Sequence, residues 1–183
     1  MKLHFEDNLD YQQAAIDSVV SLFKGQEVSR SEFTVTFRPD SGPNLSLGMD
    51  ENQLGVGNRL LLVDDEIEEN LRHIQLRNGL KPTEKLTSGD FTVEMETGTG
   101  KTYVYLRTIF ELNKNYGFTK FVIVVPSVAI KEGTYKTLQI TQEHFEGLYP
   151  KAKGYEYFLY DSSKLGQVRN FATSSNIQIM VTT

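Results

Sequence analysis

The chain has 183 residues, 39% of them hydrophobic and 23% charged, with a formal net charge of −5 and no cysteine. That balance excludes a disordered tail, and the longest strongly apolar run, Phe121–Pro126, falls far short of the ~20 residues a membrane-spanning helix needs. Without cysteine there is no disulfide framework, thiolate zinc site or cysteine nucleophile.

In chain order, Met1–Asp7 turns acidic where a signal peptide stays apolar, so no export signal is read and a cytoplasmic address is expected. A first helix is predicted with Asp10 as its N-cap, because Ala15, Val19, Leu22 and Phe23 follow at helical spacing; Gly25 ends it. Glu32–Arg38 alternates Phe33, Val35 and Phe37 as a half-buried strand, and Pro39–Asn44 follows as a turn-rich loop. Asp64–Asn78 reads as a helix with acidic residues in its first turn, Ile67, Leu71 and Ile74 on one face, and Gly79 closing it. Phe91–Met95 alternates as a strand, Lys101–Asn113 is helical with Gly117 after it, and the valine-rich Lys120–Val125 reads as a strand covered on both faces. Ser127–Phe145 is helical with an interruption near Gly133, and Tyr155–Tyr160 and Ile177–Thr182 are two further strands. Alternating strands and helices predict an α/β fold with a parallel sheet and crossover helices. Residues 1–27 are expected to form a helical entry region, 28–90 an insertion packed on the main domain, and 91–183 the main lobe.

The chemistry concentrates at Glu96-Thr97-Gly98-Thr99-Gly100-Lys101-Thr102, between a predicted strand and a predicted helix. Gly98 and Gly100 let the backbone curl until its N–H groups meet phosphate oxygens, and the helix N-terminus that follows adds a positive field. Lys101 can reach the β- and γ-phosphates of ATP, and the Thr102 hydroxyl can join the coordination of Mg²⁺. The strict pattern G-x-x-x-x-G-K-[ST] would put glycine where this chain has Met95.

Met95–Thr102 resembles motif I of superfamily 2 helicases and translocases, in which the first glycine is often replaced. Tyr11–Ile16 resembles the upstream Q motif, which implies that Gln12 reads the adenine; the alternative is a solvated helix glutamine beside Gln13. Val124–Ser127 resembles motif Ia and Ile179–Thr183 the start of the next backbone-contacting motif. Over Phe91–Thr108 and Val124–Gly133, with Asn78-Gly79-Leu80 upstream, the chain is similar to the Res subunit of type III restriction enzymes. The resemblance implies a P-loop NTPase fold, a partial RecA-like motor lobe that ends before an Asp-Glu-x-His motif. It also implies ATP and Mg²⁺ as cofactors, DNA as substrate, and ATP hydrolysis coupled to movement or switching on DNA before cleavage. A methyltransferase (Mod) subunit is the implied partner, through which S-adenosylmethionine would enter the full complex. On this reading the chain alone carries no catalytic residue and turns over little or no ATP.

The DNA contacts implied by the resemblance are Pro126, Ser127, Lys131 and Thr182. Ser127 can also cap the helix that follows, and Lys131 is either a phosphate contact or a solvated lysine. Residues 99–183 carry 10 basic and 6 acidic side chains against 9 and 18 in residues 1–98, so the C-terminal half could face phosphates. Tyr103 and Tyr105 are expected to pack against the insertion. The carboxylates at Asp64–Glu69 are explained by the helix dipole, and His4, His73 and His144 form no metal motif. A GTPase would need Asn-Lys-x-Asp, and Asn113-Lys114-Asn115-Tyr116 lacks the aspartate. Another superfamily 2 helicase or a non-catalytic nucleotide-binding module are the alternatives.

Overall fold

The computed structural model describes residues 9–37 and 51–183. Its elements are α1 (Asp10–Ser21), β1 (Arg30–Phe37), β2 (Glu51–Asn58), α2 (Asp64–Arg77), α3 (Lys101–Tyr116), β3 (Lys120–Val124), α4 (Val128–Leu148), β4 (Glu156–Leu159), α5 (Leu165–Thr173) and β5 (Gln178–Thr182), with a 3-10 turn at Pro150–Ala152. β3, β5 and β4 make a parallel sheet in that spatial order, so the last strand enters between the first two, with α4 and α5 as the crossovers. The architecture is α/β with a parallel sheet, as the alternation in the sequence predicts.

Central β5 is the most buried strand, with Ile179 and Val181 fully enclosed. One face of the sheet packs on α3 and α4 through Phe121, Ile123, Ile179 and Val181. An aromatic cluster fills the centre: Phe110 lies 4.8 Å from the Phe145 ring, 5.2 Å from Tyr149 and 4.9 Å edge-on to Tyr155. Such pairs add to the burial of their area.

β1 and β2 form an antiparallel hairpin, Arg30 opposite Asn58 and Phe37 opposite Glu51. The glycines of β2 suit it to the Phe33 ring, since a Cβ on Gly55 would sit 2.4 Å from that ring. Asn58 ties the hairpin to the sheet as a strand would. Its Oδ1 accepts from the N–H groups of Thr119 (2.7 Å) and Lys120 (3.0 Å), and its Nδ2 donates to the Lys120 carbonyl (2.8 Å). Arg169 of α5 donates to Gln53 of β2 at 2.8 Å. Nearer α1, Asn70 of α2 donates to the carbonyls of Leu22 and Lys24, and Gln26 bridges to Arg59 and Leu61.

Several expectations need correction. Leu9 rather than Asp10 is the N-cap of α1, which leaves the Asp10 carboxylate in the first turn, where the helix dipole still favours it. Phe91–Met95 forms no strand: among the described residues nothing pairs with it, and alternation without a hydrogen-bonded neighbour does not make a ladder. β3 is covered on one face only, because Val122 is 50% and Val124 71% exposed. α4 runs through Gly133 without a break, since the space around that glycine is open and its φ is not positive. Phe33, 45% exposed, makes β1 part of a hairpin at the surface rather than a half-buried sheet strand. Tyr103 and Tyr105 pack on α4, with Tyr103 stacked on Phe145 at 5.5 Å and the Tyr105 hydroxyl 3.3 Å from Thr134. α5 and β2 are not among the expected elements, and the expected turn at Pro39–Asn44 lies outside the described residues.

Candidate nucleotide-binding site

The loop that precedes α3 has the backbone the glycines were expected to permit. Gly98 and Gly100 both sit at φ +82°, a left-handed conformation costly for any residue with a Cβ. Gly100 is the N-cap of α3, a helix of 16 residues, so the loop ends on unpaired helix N–H groups. The loop is closed on itself through one carbonyl: Glu96 O accepts from Thr99 Oγ1 at 2.7 Å and from Lys101 Nζ at 2.6 Å. Glu96, Thr97, Gly98, Gly100 and Lys101 are exposed, Thr99 and Thr102 half-buried. A Cβ at Gly98 would meet nothing within 4 Å, so the space beside that residue is open. Donors, a helix N-terminus, an exposed lysine ammonium and an adjacent hydroxyl suit a triphosphate with its divalent cation.

Gln12 is brought to this loop from 87 residues away. It is 7% exposed, which removes the solvated alternative, and its Nε2 donates to the Thr99 carbonyl at 2.9 Å. α1 lies along α3 and is fixed at its far end as well, where Tyr116 Oη donates to the Val20 carbonyl at 2.9 Å and Phe23 packs edge-on against Phe118 at 5.5 Å. A groove of about 1120 Å³ extends from Glu96–Thr99 between α1 and α2, walled in part by Tyr11, Ala15, Leu71, Ile74 and Met95.

The residues expected to meet DNA fall on the C-terminal edge of the sheet. Val124 is in register with Thr182, and the Val125 N–H donates to the Thr182 carbonyl at 2.9 Å, so Pro126, Ser127 and Thr182 are neighbours. Ser127 caps α4 by accepting from the Ile130 N–H at 3.3 Å, and Lys131 lies one turn along that helix. A third loop at this edge escaped the sequence reading. The Tyr160 N–H donates to the Val181 carbonyl at 2.8 Å, which brings Tyr160–Lys164 beside the other two. Its Asp161 accepts from the N–H (2.9 Å) and hydroxyl (2.6 Å) of Ser163, bonds that hold the carboxyl below its usual range. The available signal was its place at the end of a parallel strand, where open α/β sheets carry their ligand loops.

Comparison with known proteins matches residues 7–183 to the family model of the type III restriction enzyme, res subunit. The chain belongs to that family. It is 36% identical over 152 residues to the EcoPI Res subunit of Escherichia phage P1, and 34% identical over 151 residues to the EcoP15I Res subunit of Escherichia coli. Both alignments cover 80% of this chain and 14% of the relative, so the chain spans a small part of these Res subunits. A 63-residue stretch is 51% identical to the StyLTI Res subunit of Salmonella typhimurium, covering 33% of this chain and 6% of that one. Among the described residues no helix is long and apolar enough to cross a membrane.

Proposed function

We propose that this chain is the ATP-binding front of a DNA-dependent ATPase within a type III restriction endonuclease, with residues 91–183 as part of a RecA-like motor lobe and 28–90 as an insertion on it. One observation carries the reading: Gln12 and the loop at Glu96–Thr102, remote in sequence, share a hydrogen bond of 2.9 Å in a family of Res subunits.

On this reading the loop N–H groups and the α3 N-terminus hold the phosphates, and Lys101 swings from the Glu96 carbonyl to the β- and γ-oxygens. Thr102 holds Mg²⁺ together with the nucleotide, and Gln12 presents its carboxamide to the adenine. Bound ATP supplies the phosphoanhydride whose hydrolysis drives movement or switching on DNA in the whole enzyme. Pro126, Ser127, Lys131 and Thr182 contact the DNA backbone, which makes binding salt-sensitive and poor at reading sequence. A methyltransferase partner completes the system, S-adenosylmethionine belongs to that partner, and the site of action is the cytoplasm.

The test is a fluorescent-ATP titration of the 183-residue chain with Mg²⁺, competed by ATP and GTP. ATP should displace the probe better than GTP, and Lys101→Ala should weaken binding by about 10- to 100-fold, the loss of a charge-assisted hydrogen bond. Absence of binding, or equal displacement by GTP, counts against the site or against Gln12 as adenine reader respectively.

A further inference from the structure

We propose that Gln12 is a positioning residue for the phosphate loop, holding it in its anion-binding shape whether or not a base is present. This deepens the reading of Glu96–Thr102 as a nucleotide site and rests on it.

The argument starts from the peptide between Thr99 and Gly100. A trans peptide is planar, so its carbonyl and the following N–H point in opposite directions. The Gln12 Nε2 draws the Thr99 carbonyl towards α1 at 2.9 Å, and thereby turns the Gly100 N–H away from α1. The N–H groups of such a loop are what phosphate oxygens meet, so this bond sets the direction of one of them.

The two glycines show how close the contact is. Both have φ +82°, but a Cβ on Gly100 would lie 2.6 Å from Gln12 Nε2, while one on Gly98 would meet nothing within 4 Å. Gly100 therefore has a second reason to be glycine, which is the approach of the Gln12 side chain. That side chain is braced: it is buried on α1, and α1 is held to α3 at its other end by the Tyr116–Val20 bond. The other bonds of the loop converge on the Glu96 carbonyl, and one of them comes from Lys101, which leaves to meet a phosphate. The Gln12 bond is independent of that exchange. A carboxamide has two N–H donors and an acceptor oxygen, so one N–H on Thr99 leaves the other and Oε1 for the adenine edge.

The experiment compares ATP with inorganic tripolyphosphate, which has no base, by titration calorimetry with Mg²⁺ on the 183-residue chain. Gln12→Met keeps the length of the side chain and adds no charge beside an anion, but removes the donor to the Thr99 carbonyl. It should weaken tripolyphosphate about tenfold, and ATP by at least as much. Gly100→Ala, which displaces Gln12 without altering α1, should weaken tripolyphosphate more than Gly98→Ala, which bears the same backbone strain without touching Gln12, and this comparison serves if Gln12→Met does not fold. Ala14→Gly, which loosens the exposed side of α1, should lower stability and leave tripolyphosphate binding unchanged. If Gln12→Met weakens ATP alone, the positioning role is wrong and the nucleotide site stands. Equal loss of tripolyphosphate in Ala14→Gly also overturns the positioning role, because general loosening of the helix then explains the effect. If the unaltered chain binds neither ligand, the nucleotide reading fails and this inference with it.

Discussion

Gly98 and Gly100 form a matched pair, with the same backbone angle and different surroundings, so alanine at each position separates strain from contact. Alanine at φ +82° costs roughly 1–2 kcal/mol in left-handed strain, offset by roughly 0.4–1 kcal/mol because glycine loses more freedom on folding. Gly98→Ala should therefore destabilise by about 1 kcal/mol, since nothing lies near its new Cβ. Gly100→Ala bears the same strain and also forces Gln12 off the Thr99 carbonyl, which adds about 1 kcal/mol for the lost hydrogen bond. Urea unfolding followed by far-ultraviolet circular dichroism measures both. In a Gln12→Ala background the extra cost of Gly100→Ala should disappear, giving a coupling of about 1 kcal/mol between the two positions, while Gly98→Ala should add independently. Equal costs for the two glycines, or additivity between Gly100→Ala and Gln12→Ala, would refute the claim that Gln12 packs on the loop.

Two further outcomes follow from the same structure. Asn58→Ala removes three hydrogen bonds to Lys120, the first residue of β3, and its neighbour Thr119, and should lower stability in urea by about 2–3 kcal/mol at about 1 kcal/mol per bond; a loss near zero would mean that water replaces them. Burial, and then Arg30, lower the Lys120 ammonium from 10.5 to about 8, so the folded state binds its proton less tightly than the unfolded one, and the cost that the charged Lys120 imposes on folding fades as pH rises from about 8 to 10.5. Relative to Lys120→Met, the urea midpoint of the unaltered chain should rise across that window; a constant difference would refute the shift.

The loop at Glu96–Thr102 was legible because its information is local. Glycines at 98 and 100, then Lys101 and Thr102 at the start of an apolar-periodic helix, specify a left-handed turn that runs into a helix N-terminus without help from distant residues. The extents of α1, α2, α3 and the strands β4 and β5 were legible for the same reason. Where the sequence misled, pairing or packing decided. Phe91–Met95 has the alternation of a strand but no partner, and Lys120–Val125 has the apolar run of a doubly covered strand but one bare face. β2 was hidden by its glycines, which lower strand propensity until the Phe33 ring lies over them. α5 carries Leu165, Val168, Phe171 and Ala172 at helical spacing, a signal present but short.

By itself, then, the sequence determined the extents of α1, α2, α3, β4 and β5 and the left-handed turn of one loop, because backbone angles and helix periodicity are set within a few residues. Tertiary structure decided that β5 enters between β3 and β4, that Asn58 caps the edge of β3, and that Gln12 rests against Gly100. Each of these joins residues far apart along the chain, and such a contact depends on packing free energy summed over the whole core, which no local pattern records.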